Sequence, residues 1–149
     1  VVAVSLMRVL GENIAELSLK WPNDLLIGAE KVGGILCEKF GNCSVVGIGI
    51  NLVNETSINN STNLISHGYR FDKSILLASF LYNFDQVSAL ESEKIIEEFT
   101  NSDCLIGKKI YWGNHSGIAK SIDLDGSLIV KSGGENLNLY SEEVHIEKY

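Results

Sequence analysis

Pro22 is the only proline among 149 residues, and it interrupts an apolar stretch that otherwise reads as extended chain, LSLKWPNDLLIG at 17–28. Proline has no backbone donor, so a strand ladder ends or lies at a sheet edge there. Trp21, ahead of it, is pushed toward extended geometry. The stretch divides into two short strands with a rigid end between them, and Asn23 and Asp24 project from that end into a loop. A third strand-like segment, KVGGILCEKF at 31–40, follows the turn GAEK; a fourth, CSVVGIGINLV at 43–53, follows the turn FGNC. Glycine weakens a strand interior. Gly33-Gly34 in the third segment, with Gly47 and Gly49 in the fourth, therefore imply that a ligand or another chain segment comes close to the backbone.

Around this block the periodicity changes. Residues 1–14 place Val2, Leu6, Val9 and Leu10 on one helical face that stops at Gly11. Residues 54–63 are polar and read as a surface loop. Asp72 is an N-cap for a helix to about Leu90, with apolar positions Ile75, Leu76, Phe80 and Val87 thickened by Leu77, Leu81 and Phe84. Ser92 is expected to cap a further helix to about Asn101. From Cys104 five short alternating runs with regular turn signals predict a small antiparallel barrel or sandwich, with a hairpin turn at Asp125-Gly126. The expected fold class is α+β: a mixed or antiparallel sheet packed on helices over 1–103, then a small β-barrel over 104–149.

Composition narrows the function classes. With 45% hydrophobic and 21% charged residues the chain is globular, and a domain this long buries roughly 68–70% of its unfolded surface. No apolar run approaches the ~20 residues of a membrane span. The formal charge of −7, with Lys108-Lys109 as the densest basic cluster, argues against a nucleic-acid surface. No charged segment precedes an apolar core at Val1-Val2, so no secretory signal is expected, and the chain reads as a piece of something longer. The cysteines, Cys37, Cys43 and Cys104, are odd in number and lack close pairing, which fits a reduced, cytoplasmic setting with all of them as packing residues. His67, His115 and His145 are scattered, so no zinc site is expected.

Two clusters carry chemistry. Lys20, Asn23 and Asp24 on a stiff strand end can grip an anion, a hydroxyl, and a metal or cation respectively; a capped turn with a solvated lysine is the plainer alternative. Lys31 precedes Gly33-Gly34, Ile35 and Leu36, a pattern suited to a narrow apolar slot with exposed N–H and C=O groups, or to a hairpin lysine near a bulge.

Taken together, KWPND at 20–24, KVGGILCE at 31–38 and GIGIN at 47–51 resemble the core of the biotin protein ligases. The resemblance covers most of the chain. It implies a class II synthetase-like catalytic fold, here incomplete, followed by a Src homology 3-like barrel. It also implies a reaction: biotin's carboxylate joins the α-phosphate of ATP with release of pyrophosphate, and the biotinyl group then passes from biotinyl-adenylate to a lysine of a biotin carboxyl carrier protein. Two anions must meet, and at ~4 Å in an effective dielectric near 20 each like-charge pair costs roughly 4 kcal/mol, which preorganised cations must offset. By the same resemblance Lys31 contacts the biotin carboxyl and the adenylate phosphate. Lys20, Asn23 and Asp24 line the nucleotide site, with Lys20 and Asp24 joining Lys31 in catalysis, and Asp24 is a candidate to hold Mg2+ or an orienting hydrogen bond. Asn51 lies on the adenine and ribose side. Gly34, Leu36, Gly47 and Gly49 form the biotin slot.

The resemblance also implies parts that these residues do not contain: an upstream loop of the Gly-Arg-Gly-Arg type, a Thr-Asn stretch in the first strands, and any winged helix. The chain is thus expected to hold about half of a catalytic domain, inactive alone, with unpaired sheet edges through which a homodimer can form. Two alternatives are a relative of the lipoate or octanoyl transferases and a non-catalytic interaction module.

Overall fold

The computed structural model describes residues 1–53 and 60–146. The chain forms two compact units, one of residues 1–19 and 23–89, the other of residues 20–22 and 90–149. Among the described residues no helix is long and apolar enough to cross a membrane.

In the first unit, helix α1 (Val2–Gly11) buries Val2, Leu6, Val9 and Leu10, the face the periodicity predicts, together with Val4 and Ser5. The Ser5 hydroxyl donates to the Val1 carbonyl at 2.9 Å, so this buried polar group is satisfied. A four-stranded sheet follows in the order β1 (Leu17–Lys20), β2 (Asp24–Ile27), β3 (Glu30–Phe40), β4 (Cys43–Ile50). The β2–β3 and β3–β4 pairings are antiparallel, so of the two sheet types expected the antiparallel one forms. Leu17 and Leu19 alternate inward along β1, the pattern of a strand with one face against a core, whereas Leu25, Leu26 and Ile27 are buried one after another in β2. β1 ends just before the Trp21-Pro22 peptide, which is cis.

A 3-10 turn at Ile65–His67 leads to α2 (Lys73–Ser88). The Asp72 carboxylate accepts from the Ser74 and Ile75 amides at 2.8 and 3.0 Å, as expected of an N-cap. α1 packs against α2. The apolar stripe expected along α2 is not buried, however: only Val87 is, while Ile75, Leu77 and Leu81 are more than half exposed. Its apolar residues are spread around the helix, so one neighbouring helix cannot cover them. The outer halves of β3 and β4 are likewise open, with Phe40 and Val45 exposed. Cys37 and Cys43 lie there and are exposed too, so only half-buried Cys104 fits the packing role expected of all the thiols. Of the polar loop expected at 54–63, residues 54–59 lie outside the described residues.

The second unit contains α3 (Ser92–Ser102) and a five-stranded sheet in the order β8-β7-β6-β5-β9. Its strands are β5 (Lys109–Trp112), β6 (His115–Ile122), β7 (Leu128–Ser132), β8 (Glu135–Leu139) and β9 (His145–Ile146). These are the five predicted runs, paired antiparallel. The N-cap of α3 is Glu91, without a side-chain cap bond, and Ser92 is already helical. Ile96 and Phe99 of α3 pack on the core of this unit, which gathers Trp21, Leu105, Ile110, Trp112, Leu128 and Val130. Residues 20–22 and 90–103 belong to this unit as well. The Asp103 carboxylate, almost fully buried, accepts from the Trp21 amide at 2.7 Å and the Leu105 amide at 2.8 Å. Burial pushes its pKa up; the backbone N–H groups and Lys108 pull the other way. The Trp21 indole N–H donates to the Gly126 carbonyl at 3.0 Å.

Candidate active site

Strand register builds the site. Asp24 on β2 stands opposite Gly34 on β3, and Gly34 opposite Gly49 on β4, so one row crosses three strands with no side chain at two of its positions. In the next row Leu36 faces Gly47. Alternation along a strand puts Gly34, Leu36, Gly47 and Gly49 on one face. That face is an open groove of about 400 Å³ lined by Asn23, Lys31, Gly34, Ile35, Leu36, Gly47, Ile48 and Gly49.

Lys31 would point away from this face in a regular strand, because 31 and 34 differ by an odd number. A bulge corrects its aim. Leu25 pairs with Gly33 but Leu26 pairs with Lys31, leaving Val32 as the extra residue, and such an insertion re-aims the neighbouring side chain. Lys31 Nζ consequently forms an ion pair with Asp24 Oδ1, the lysine side chain 46% and the aspartate 22% exposed. The ammonium lies over Gly34, where an added Cβ would be 3.3 Å from Nζ.

The glycines have distinct reasons. At Gly33 a Cβ would sit 2.6 Å from the Gly49 carbonyl oxygen, so the close approach inferred from sequence is here that of the partner strand. At Gly49 a Cβ would meet nothing within 4 Å. The bare position at 49 is therefore not demanded by the fold, and it leaves space in the groove.

The remaining residues singled out by sequence fall in different places. Asn23 borders the groove while its Nδ2 donates to the Ile35 carbonyl at 2.8 Å and its own carbonyl accepts from Ile35 N at 2.9 Å. Asn51 is tied into the chain: its amide N–H donates to the Val32 carbonyl and its Nδ2 to the Thr62 carbonyl, at 2.8 and 3.0 Å. Lys20, Asp24 and Asn51 do not line the groove. Lys20 acts on the Cys104 thiol, whose pKa burial pushes up, with Asp103 adding to the rise and Lys108 and Lys20 opposing it. Among the described residues no group of three His, Cys, Asp or Glu side chains gathers that could hold a metal ion. A single carboxylate such as Asp24 suits magnesium carried by nucleotide phosphates rather than a protein cage.

Two features had no signal in the sequence. Ile48 as a lining residue is one, since an apolar strand residue reads simply as core. The other is a short parallel contact between Lys31 and Ser61, which joins segments that no local pattern connects. A bulge near Lys31 is one reading of the sequence, and the register places it at Val32.

Comparison with known proteins follows the same residues. Residues 1–53 match the profile of the Biotin/lipoate A/B protein ligase family. The chain is 30% identical over 156 aligned residues to the bifunctional ligase/repressor BirA of Salmonella typhimurium, covering 90% of this chain and 47% of that protein. A stretch of 43 residues is 49% identical to the biotin–[acetyl-CoA-carboxylase] ligase of Paracoccus denitrificans, covering 26% of this chain and 18% of that one. The fold is similar to the biotin protein ligase from Aquifex aeolicus in complex with biotin and ATP, with a TM-score of 0.83 at 21% identity over 99% of this chain and 70% of that one. The chain spans about half the length of the BirA proteins that it matches. The strands that build the groove thus lie within residues 1–53, the stretch that is similar to the Biotin/lipoate A/B protein ligase family.

Proposed function

We propose that this chain forms part of an ATP-dependent biotin–[biotin carboxyl carrier protein] ligase, which makes biotinyl-5'-AMP and passes biotin to a carrier lysine. The observation that carries this reading is the Lys31 ammonium, turned by a bulge onto a glycine-floored groove and balanced by Asp24. A groove bare of side chains at Gly34, Gly47 and Gly49 admits a flat ring against backbone, with Leu36 giving apolar contact. Lys31 at its end would hold the biotin carboxylate and then the phosphate, stabilising the charge that builds as the two anions join. Asp24 holds the ammonium in place until an anion replaces it. Asn23 and Asn51 complete the proposed nucleotide side. When bound, magnesium would neutralise phosphate charge, with Asp24 lending one carboxylate. The cytoplasm, where ATP and carrier meet, is the proposed setting. The five-stranded sheet is proposed to close as a Src homology 3-like barrel, and β4, last in its sheet, to serve as a homodimer edge.

The test is biotin-dependent exchange of pyrophosphate into ATP by the full-length gene product. Lys31→Ala is expected to slow exchange by about 10²–10³-fold, the usual cost of losing one preorganised stabilising group, with little change in thermal stability. Exchange at the parent rate removes Lys31 from its role. Exchange driven by lipoate instead of biotin would favour the lipoate branch of the family, and binding without exchange a non-catalytic module.

A further inference from the structure

The bulge that aims Lys31 also deprives it of a regular ladder, and its backbone is held from the other side. Lys31 N–H donates to the Asn60 carbonyl at 2.7 Å, and the Lys31 carbonyl accepts from Thr62 N–H at 2.9 Å. In extended chain both main-chain groups of one residue point the same way, so segment 60–62 grips Lys31 with both. What keeps that segment in place is a set of side chains. Thr62 Oγ1 and His67 Nε2 are 2.9 Å apart and share a hydrogen bond. The same ring nitrogen lies 3.8 Å from the carboxylate of Glu30, the residue before Lys31. Asn51 Nδ2 donates to the Thr62 carbonyl at 3.0 Å, and Leu64 N–H to the Asn51 carbonyl at 2.9 Å. Thr62, Asn63 and Leu64 are buried.

We infer that His67, acting through Thr62, is a positioning residue for Lys31: its ring spans the segment on one flank of the lysine and Glu30 on the strand itself, and so fixes where the ammonium stands over the groove. This rests on the ligase reading of Lys31. His67 does not line the groove; its effect passes through the Thr62 and Lys31 backbones. An error of about 1 Å in a reacting group can cost on the order of 10²-fold in rate, so a lost clasp should appear in turnover rather than in substrate capture by the groove itself.

The experiment compares His67→Ala, His67→Gln and Thr62→Ser with the parent, using the full-length gene product. Two readouts are taken: biotin-dependent pyrophosphate exchange, resolved into kcat and KM for biotin, and hydrogen exchange at the Lys31 and Thr62 amides. His67→Ala is expected to lower kcat by about 10- to 100-fold with KM for biotin changed less than about twofold, and to speed exchange at both amides. His67→Gln, whose side-chain amide can still bond the Thr62 hydroxyl, and Thr62→Ser, which keeps that hydroxyl, are expected to restore most of kcat and the amide protection. A His67→Ala protein with parent kcat and parent amide exchange overturns the role while leaving the ligase reading standing. Loss that His67→Gln does not restore, in proportion to lowered thermal stability, overturns it as well. A parent without biotin-dependent exchange overturns the ligase reading, and this role with it.

Discussion

A Cβ at Gly33 would strike the Gly49 carbonyl at 2.6 Å, whereas a Cβ at Gly49 would enter open space. The two positions therefore separate fold from function. Gly33→Ala is expected to destabilise the protein by about 1–3 kcal/mol, as overpacking does, and denaturant melts would show it. Gly49→Val is expected to leave the melting temperature near that of the parent and to abolish biotin binding by calorimetry. Unchanged affinity in a folded Gly49→Val protein would place the biotin slot elsewhere. At this scale the sequence was informative because glycine in a strand interior needs a reason. It named Gly33, Gly34, Gly47 and Gly49, and the resemblance set Gly34, Gly47 and Gly49 in the slot, but that Gly33 is bare for the partner strand was not legible. That distinction lives in the register, and one residue of slip reverses every side chain.

Elements were legible where the signal is local. α1 stops at Gly11, Asp72 caps α2, and each of the nine strands among the described residues falls on a strand-like or alternating run read from sequence. Asp72→Ala is expected to cost about 1 kcal/mol, the usual value of a lost N-cap, because the carboxylate serves two amides. A shift of the urea midpoint with an unchanged slope would measure it. A variant as stable as the parent would mean that α2 adds little to cooperative folding. What was not legible lies between elements. The Lys31–Ser61 contact joins residues 30 positions apart, and no periodicity encodes it. A bulge near Lys31 is one reading of the sequence, but its position at Val32 is set by the register of β3 against β2. The exposure of α2 was not legible for a related reason: an apolar stripe says that a helix face can be covered, not that a neighbour is there to cover it.

At the scale of the whole molecule, Trp21 stands in a motif that sequence assigns to a binding site, yet its ring belongs to the core of the second unit. Asp103 holds its amide from a buried position, and burial raises that carboxyl's pKa. A carboxyl whose folded pKa lies above its unfolded one contributes stability that is present below the unfolded value and lost as pH rises through the folded value. The stability of the parent relative to Asp103→Asn is therefore expected to be greater near pH 4 than near pH 7, as thermal melts across that range would show. A constant difference would mean that Asp103 does not titrate within it. Both tryptophans of the chain, Trp21 and Trp112, sit in this one core. Excited at the red edge of indole absorption, the protein emits from the second unit alone, and the sheet that carries the groove stays dark. A fluorescence melt thus follows only half of the fold, and its coincidence with far-ultraviolet circular dichroism would reveal whether the halves come apart in one step or two.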